Sequence, residues 1–274
     1  MMLGTITKNM RRRSLTEIVK ITSGMGYGAI EISSRPKEKH VNVEDILADG
    51  GKEVRETVSE GGLVISALTC HLNLMDPERG PGFAEHFDKV IRAASKLEVS
   101  TITAVTGSRP GKADEDAFRS MAEVWRPMID LAEDLGVKIA FETFPPNIAY
   151  NIPTIERAFE ILDSENVGLN FDPSHAVWQG IDNYRIIKVF HDRIFHAHAK
   201  DTEIMEEILS ERGVTSKGWW RFRVPGWGSI DWRRIITSLK AAGYDSVLSF
   251  EHEDKTFNDL EGTLKNYHYL KELV

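Results

Sequence analysis

Eight short apolar runs, each followed by an amphipathic stretch, constrain this chain more than any other feature. The runs are Gly4–Thr7, Ala29–Ile32, Leu63–Leu68, Ser100–Val105, Val137–Glu142, Val167–Asp172, Arg193–Ala199 and Ser246–Glu251. Between them, helical periodicity covers segments such as Val43–Glu60, Phe83–Leu97, Asp114–Leu135, Thr154–Leu162, Asn183–Phe190 and Trp232–Ala242. Ser14-Leu15-Thr16-Glu17 opens the first helix with a capping-box pattern. Strict strand–helix alternation argues for parallel strands. Eight repeats in 274 residues fit a single α/β domain over residues 1–274, a (β/α)8 barrel. A doubly wound open sheet is the alternative, but no Gly-x-Gly-x-x-Gly follows the first strand.

Composition narrows the function classes. With 41% hydrophobic residues the chain can fill a full core. There is no apolar run of 18 residues or more, so no membrane span is expected. Arg11, Arg12 and Arg13 precede an amphipathic segment and not an apolar one, which makes a cytoplasmic enzyme the expectation. Cys70 is the only cysteine, which excludes an intrachain disulfide and a thiolate-rich zinc site. A net charge of −8 argues against nucleic acid as partner and for a small neutral or metal-bridged ligand.

Four of the runs end on groups able to bind a metal. KIAFE ends at Glu142, GLNFD at Asp172, FHAH at His198 and LSFE at Glu251. Phe141, Phe171 and Phe250 each stand directly before an acid. Side chains alternate faces along a strand, so a Phe turned to the helix layer turns its acid into the barrel mouth. Two residues back on the acid's own face lie Ala140, Asn170 and Ser249, all small or polar. In barrels of this kind chemistry sits at the C-terminal strand ends. Three carboxylates and one imidazole suit one divalent ion: Mn2+ first, with Mg2+, Co2+ or Zn2+ as alternatives. The competing reading for each acid is a helix N-cap, and Asp172 before Pro173 fits it well.

FETF, NFDPSH, HAHAKD and SFEHED, in this order, resemble the xylose isomerase-like TIM barrel superfamily. It includes sugar isomerases, ketose 3-epimerases, inosose-processing enzymes and AP endonucleases. The similarity spans essentially the whole chain and is most specific between Glu142 and Asp254. The resemblance implies metal ligands at Glu142, Asp172, His198 and Glu251, and a substrate contact at His175. It also implies Glu142 and Glu251 as the catalytic acid–base pair of a sugar isomerase or epimerase. One would remove a proton next to a carbonyl and the other return it, through a metal-stabilised enediolate. The stretch from Lys200 to RFRVPGWG departs from the ketose epimerase loop, and some relatives act on 3-keto sugars or eliminate glycosides. A lyase or dehydratase using the same first step is therefore the alternative, with an AP endonuclease-like nuclease behind it. Relatives are often dimers or tetramers, so a homo-oligomer is expected by analogy.

Further candidates for binding a carbohydrate surround the mouth. His71, after the third strand, could reach substrate hydroxyls or be an exposed loop histidine. His196 is expected to be a satisfied core histidine sooner than a fifth ligand, and Glu31, which ends the second strand between Ile30 and Ile32, could take part in chemistry at the rim. Lys200 and Asp201 could bind substrate or form a rim ion pair. Trp178, Trp219, Trp220 and Trp227 could stack on sugar C–H faces, or cover the barrel or an interface. Arg223 could meet an anionic or hydroxyl-rich substrate, with Gly226 and Gly228 allowing a tight turn.

Overall fold

The computed structural model describes residues 1–109 and 114–274. The eight expected runs form eight parallel strands: β1 (Met2–Ile6), β2 (Ala29–Ser33), β3 (Val64–Thr69), β4 (Thr101–Ala104), β5 (Lys138–Glu142), β6 (Val167–Phe171), β7 (Ile194–Ala199) and, at the end, the strand Val247–Phe250. Between the seventh and last of these an antiparallel hairpin is inserted, β8 (Asp201–Ile204) and β9 (Trp220–Arg223), so the last barrel strand is β10. The barrel closes in the order β1-β10-β7-β6-β5-β4-β3-β2. Closure leaves no edge strand in it.

The Phe-before-acid pattern works as the alternation demands. Phe141 is fully buried and meets Trp125 of the helix layer edge-on at 4.8 Å, and Phe87 also meets Trp125 edge-on, at 5.0 Å. Each of these rings would cost about 3–5 kcal/mol if cut to alanine. With the rings facing out, the barrel interior is left to Glu142, Asn170, His196, His198 and Ser249, all buried.

Two local departures have plain causes. The segment expected as one helix over 43–60 is two, Val43–Asp49 and Lys52–Glu60. Gly50 and Gly51 both take left-handed backbone, φ 73° and 75°, which stops one helix and starts the next. The long connection after β7 holds the hairpin and a helix, Glu206–Arg212. The first helix opens as expected, with Ser14 accepting from the Glu17 N–H and Glu17 accepting from the Ser14 N–H. No described helix is long and apolar enough to cross a membrane.

Candidate metal centre

Glu142 at the end of β5, Asp172 just after β6, His198 in β7 and Glu251 just after β10 converge. One ligand atom from each lies within 4.8 Å of every other. These strands are consecutive around the barrel, and parallel register sets their depth: Glu142 pairs with Asn170, and His198 with Ser249. None of the four is more than 8% exposed.

Asp172 reconciles its two readings. Its Oδ1 accepts from the Ser174 N–H at 2.9 Å and caps the helix Pro173–Gln179. Its Oδ2 is buried and has no hydrogen-bond partner among the described residues. Lys200 Nζ lies 2.9 Å from that oxygen, poorly aligned for a hydrogen bond. One oxygen therefore serves the fold, and the other faces the cluster, where the Lys200 ammonium balances its charge.

Lys200 belongs to the centre and not to the rim. It is 1% exposed, donates to Glu251, stands 3.3 Å from His175 Nε2 and lies 3.8 Å from Glu142 Oε1. The Phe222 ring covers it at 4.6 Å. Lys8, from the turn after β1, pairs with the other oxygen of Glu251. Burial pushes Glu142 up, as does the Glu251 carboxylate, but Lys200, His198 and His71 outweigh both and hold it well below the usual range. Burial likewise raises Glu251, while Lys200, Lys8 and His198 bring it well below. Asp172 is lowered in the same way, burial being overcome by Lys200 and His175. For Lys200, burial alone would lower the pKa, yet Asp172, Glu251 and Glu142 hold it well above its ordinary value. His198 is also raised well above the usual value: Glu31, Glu142 and Glu251 overcome its burial.

His175 and His71 flank Glu142. His175 Nε2 is 2.9 Å from Glu142 Oε1, and its ring stacks on Phe144 at 4.4 Å and meets Phe222 edge-on at 5.3 Å. His71 Nε2 is 3.6 Å from Glu142 Oε2 and has no hydrogen-bond partner among the described residues. Burial pushes its imidazole down to about 4, so it is neutral near pH 7. It is three-quarters enclosed or more, not an exposed loop histidine, with 16% of its side chain accessible.

Other candidates take different places. Trp178 and Trp220 stack on each other at 4.8 Å, and Trp220 meets Phe222 edge-on, so together they wall the hairpin side of the centre. Trp219 is buried and donates to the Val214 carbonyl. Trp227 packs against Phe257 with Lys265 above its ring. Arg223 is paired with Glu203 at 2.8 Å and Asp254 at 3.0 Å, tying the hairpin to the segment after β10. Asp201 is a staple: its carboxylate accepts from the N–H groups of Thr202, Gly226 and Ile230 and from Trp232 Nε1. A Cβ at Gly228 would stand 2.2 Å from Asp201 Oδ1, so only glycine allows this approach. His196 hydrogen-bonds Asn170 and Ser66 in the interior.

Glu31 is the group that sequence reasoning placed wrongly. It lies at 0% exposure in the barrel interior, not at the rim, and accepts from Thr69, from Thr103 at 3.1 Å and from Ser249 at 2.6 Å. A register shift at Ile30/Glu31 accompanies this inward turn. The available signal was an acid flanked by two isoleucines in a buried strand. A cavity of about 750 Å³ lined by Ser100, Lys138, Ile194 and Ser246 opens at the opposite, N-terminal strand ends. That face of a barrel contributes stability and not chemistry, so the carboxylate cluster is the site of interest.

The donor set fits a divalent ion. Three ionised carboxylates and an imidazole supply hard oxygens and one nitrogen, and Asp172 Oδ2, buried without a hydrogen bond, faces the other three groups.

A closed parallel barrel with such a cluster at its C-terminal strand ends defines a barrel able to hold a divalent ion. The chain belongs to the xylose isomerase-like TIM barrel family, which it matches over residues 19–273. It is 25% identical to the uncharacterized protein YfiH of Bacillus subtilis, across 100% of this chain and 99% of that one. It is 29% identical over 167 residues to the inosose dehydratase of Clostridium perfringens, covering 58% of this chain and 56% of that enzyme. The match thus spans about half the length of that relative. Among solved structures, L-ribulose 3-epimerase superposes with a TM-score of 0.77 at 17% identity, covering 99% of this chain and 93% of that one. The IOLI protein, solved with a bound zinc atom, gives 0.77 at 22% identity, with 99% and 96% coverage. At these identities the likeness is one of fold.

Proposed function

We propose that this protein is a divalent-metal-dependent sugar isomerase or epimerase that removes a proton from the carbon next to a carbonyl. The observation that carries the reading is the convergence of Glu142, Asp172, His198 and Glu251 beside two further glutamate-contacting histidines, His71 and His175. A bound ion would polarise the carbonyl and stabilise the negative charge that develops on its oxygen. One of Glu142 and Glu251 takes the proton; the carboxyl so formed returns it to the neighbouring carbon in an isomerisation, whereas in an epimerisation the other glutamate first takes up a proton from solvent and delivers it to the opposite face. His71, neutral with a free Nε2, and His175 orient the substrate hydroxyls. Trp178, Trp220 and Phe222 keep water out. Mn2+ is the first choice for this donor set; the zinc in the IOLI structure makes Zn2+ the second ion to test.

A second reading is a dehydratase on a keto sugar or cyclic keto-polyol, favoured by the inosose dehydratase relative. The first proton abstraction is the same. The C–O bond at the β carbon then breaks, and its oxygen leaves as water after taking a proton from an enzyme acid.

The test is elemental analysis of purified protein beside Asp172→Ala, followed by a screen of keto sugars with the bound ion. About one divalent ion per chain, absent from the variant, and a product isomeric with substrate would support the first reading. Loss of one water from the product would move the assignment to the second. No bound ion after Mn2+ or Zn2+ is supplied would sink both.

A further inference from the structure

Glu31 is not among the four convergent ligands, yet it touches one of them. It sits on β2 and meets His198 of β7 across the barrel interior. His198 Nε2 is 3.2 Å from Glu31 Oε2 and 3.3 Å from Oε1. The other ring nitrogen, Nδ1, faces the cluster: 3.2 Å from Glu142 Oε2, 3.6 Å from Glu251 Oε2 and 3.8 Å from Asp172 Oδ2.

We propose that Glu31 is a positioning residue for the metal centre, fixing His198 so that Nδ1 is the nitrogen offered to the ion. The inference rests on the metal-centre reading above and assigns a residue outside the ligand set. An ionised carboxylate can only accept hydrogen bonds, so the ring nitrogen facing it must carry the hydrogen. An imidazole that binds an ion through one nitrogen keeps its hydrogen on the other. With that hydrogen at Nε2, the lone pair is at Nδ1, on the side of the three carboxylates. Glu31 is itself held by three hydroxyls from three other strands, Thr69, Thr103 and Ser249. The ring is therefore oriented by a group that cannot turn away. Partners of this kind behind a ligating histidine tune its basicity and orientation.

Two measurements test it. In Zn2+-loaded, 15N-histidine-labelled protein, with His198 assigned through a His198→Asn variant, the 15N shifts should show Nδ1 coordinated and Nε2 protonated. Coordination through Nε2 overturns the proposal without any change to Glu31. Calorimetric titration of metal-free protein with Zn2+ should then show Glu31→Gln binding ~10–100-fold more weakly than wild type. The glutamine keeps the size but can present N–H to Nε2, which would move the ring hydrogen to Nδ1. Tyr27→Phe, which removes a buried hydrogen bond to the Thr263 carbonyl elsewhere in the fold, controls for lost stability and should bind Zn2+ as wild type does. Equal affinity in wild type and Glu31→Gln overturns this inference while leaving the centre in place. A wild type that binds no ion overturns both. If Glu31→Gln does not fold, the wild-type spectrum alone decides.

Discussion

Lys200 places a positive charge among the carboxylates that would bind the ion, and this sets a residue-scale expectation. Its ammonium contacts Asp172, Glu251 and His175 and is sealed under Phe222. A cation this close repels another through a poorly screened interior. Lys200→Met should therefore bind divalent metal about tenfold more tightly, a change of ~1.4 kcal/mol, as read by calorimetric titration. The same variant should lose turnover, because the ammonium is also placed to neutralise charge that develops on a substrate. Weaker metal binding in Lys200→Met would show that the side chain supports the ligands instead of competing with the ion. On the proposed function Glu251→Gln removes one of the two carboxylates assigned to proton transfer and should lower turnover by about 10²–10⁴-fold, measured as product formed per bound ion.

At the scale of elements, the hairpin β8–β9 forms a cover over the cluster. The ligand side chains are buried and Phe222 lies over Lys200, so the hairpin covers this side of the cluster. Its base is stapled by Asp201, which receives three backbone N–H groups and the Trp232 indole. Asp201→Ala leaves four donors to find new partners and should cost on the order of 3 kcal/mol. Amide exchange in 201–223 should then accelerate while the barrel strands stay protected. Uniform loss of protection would mean that the staple supports the whole barrel. Trp220→Ala removes the stacking partner of Trp178. It should raise KM more than it lowers kcat if the aromatic wall holds substrate.

The whole molecule carries opposed titrations. Burial holds His71 and His196 at about 4 when folded, against 6.5 ordinarily. A depressed histidine contributes stability above 6.5 that is lost as pH falls toward 4, because the unfolded chain takes up the proton first. His198 is raised, so its contribution is complete below 6.5 and is lost as pH rises through its folded value. The lowered carboxylates Glu142, Asp172 and Glu251 add a loss at still lower pH, as pH falls through their folded values. The thermal midpoint of metal-free protein should accordingly fall between pH 6.5 and 4, and His71→Asn should flatten the slope. An unchanged slope in His71→Asn would show that His71 is protonated or exposed in the folded chain. Saturation with metal at about 100 times Kd should add ~2.7 kcal/mol, and a chelator should remove it.

Much of this was written in local pattern. Period-two alternation and helix caps depend on neighbours a few residues apart, so eight strands, their order and the inward turn of Glu142 and His198 followed from the sequence by itself. The four motifs also sufficed to place the chain in its family. Tertiary structure alone decided what depends on groups far apart in sequence. Asp172 became both cap and open acceptor because its two oxygens face different surroundings. Lys200 reached the centre because the hairpin after it folds back and buries its charge. Glu31 met His198, 167 positions away, because barrel closure brings β2 across from β7. Local sequence fixes which face a side chain takes. Only closure of the barrel fixes what stands opposite it, and for buried charges that partner sets the protonation state and hence the chemistry.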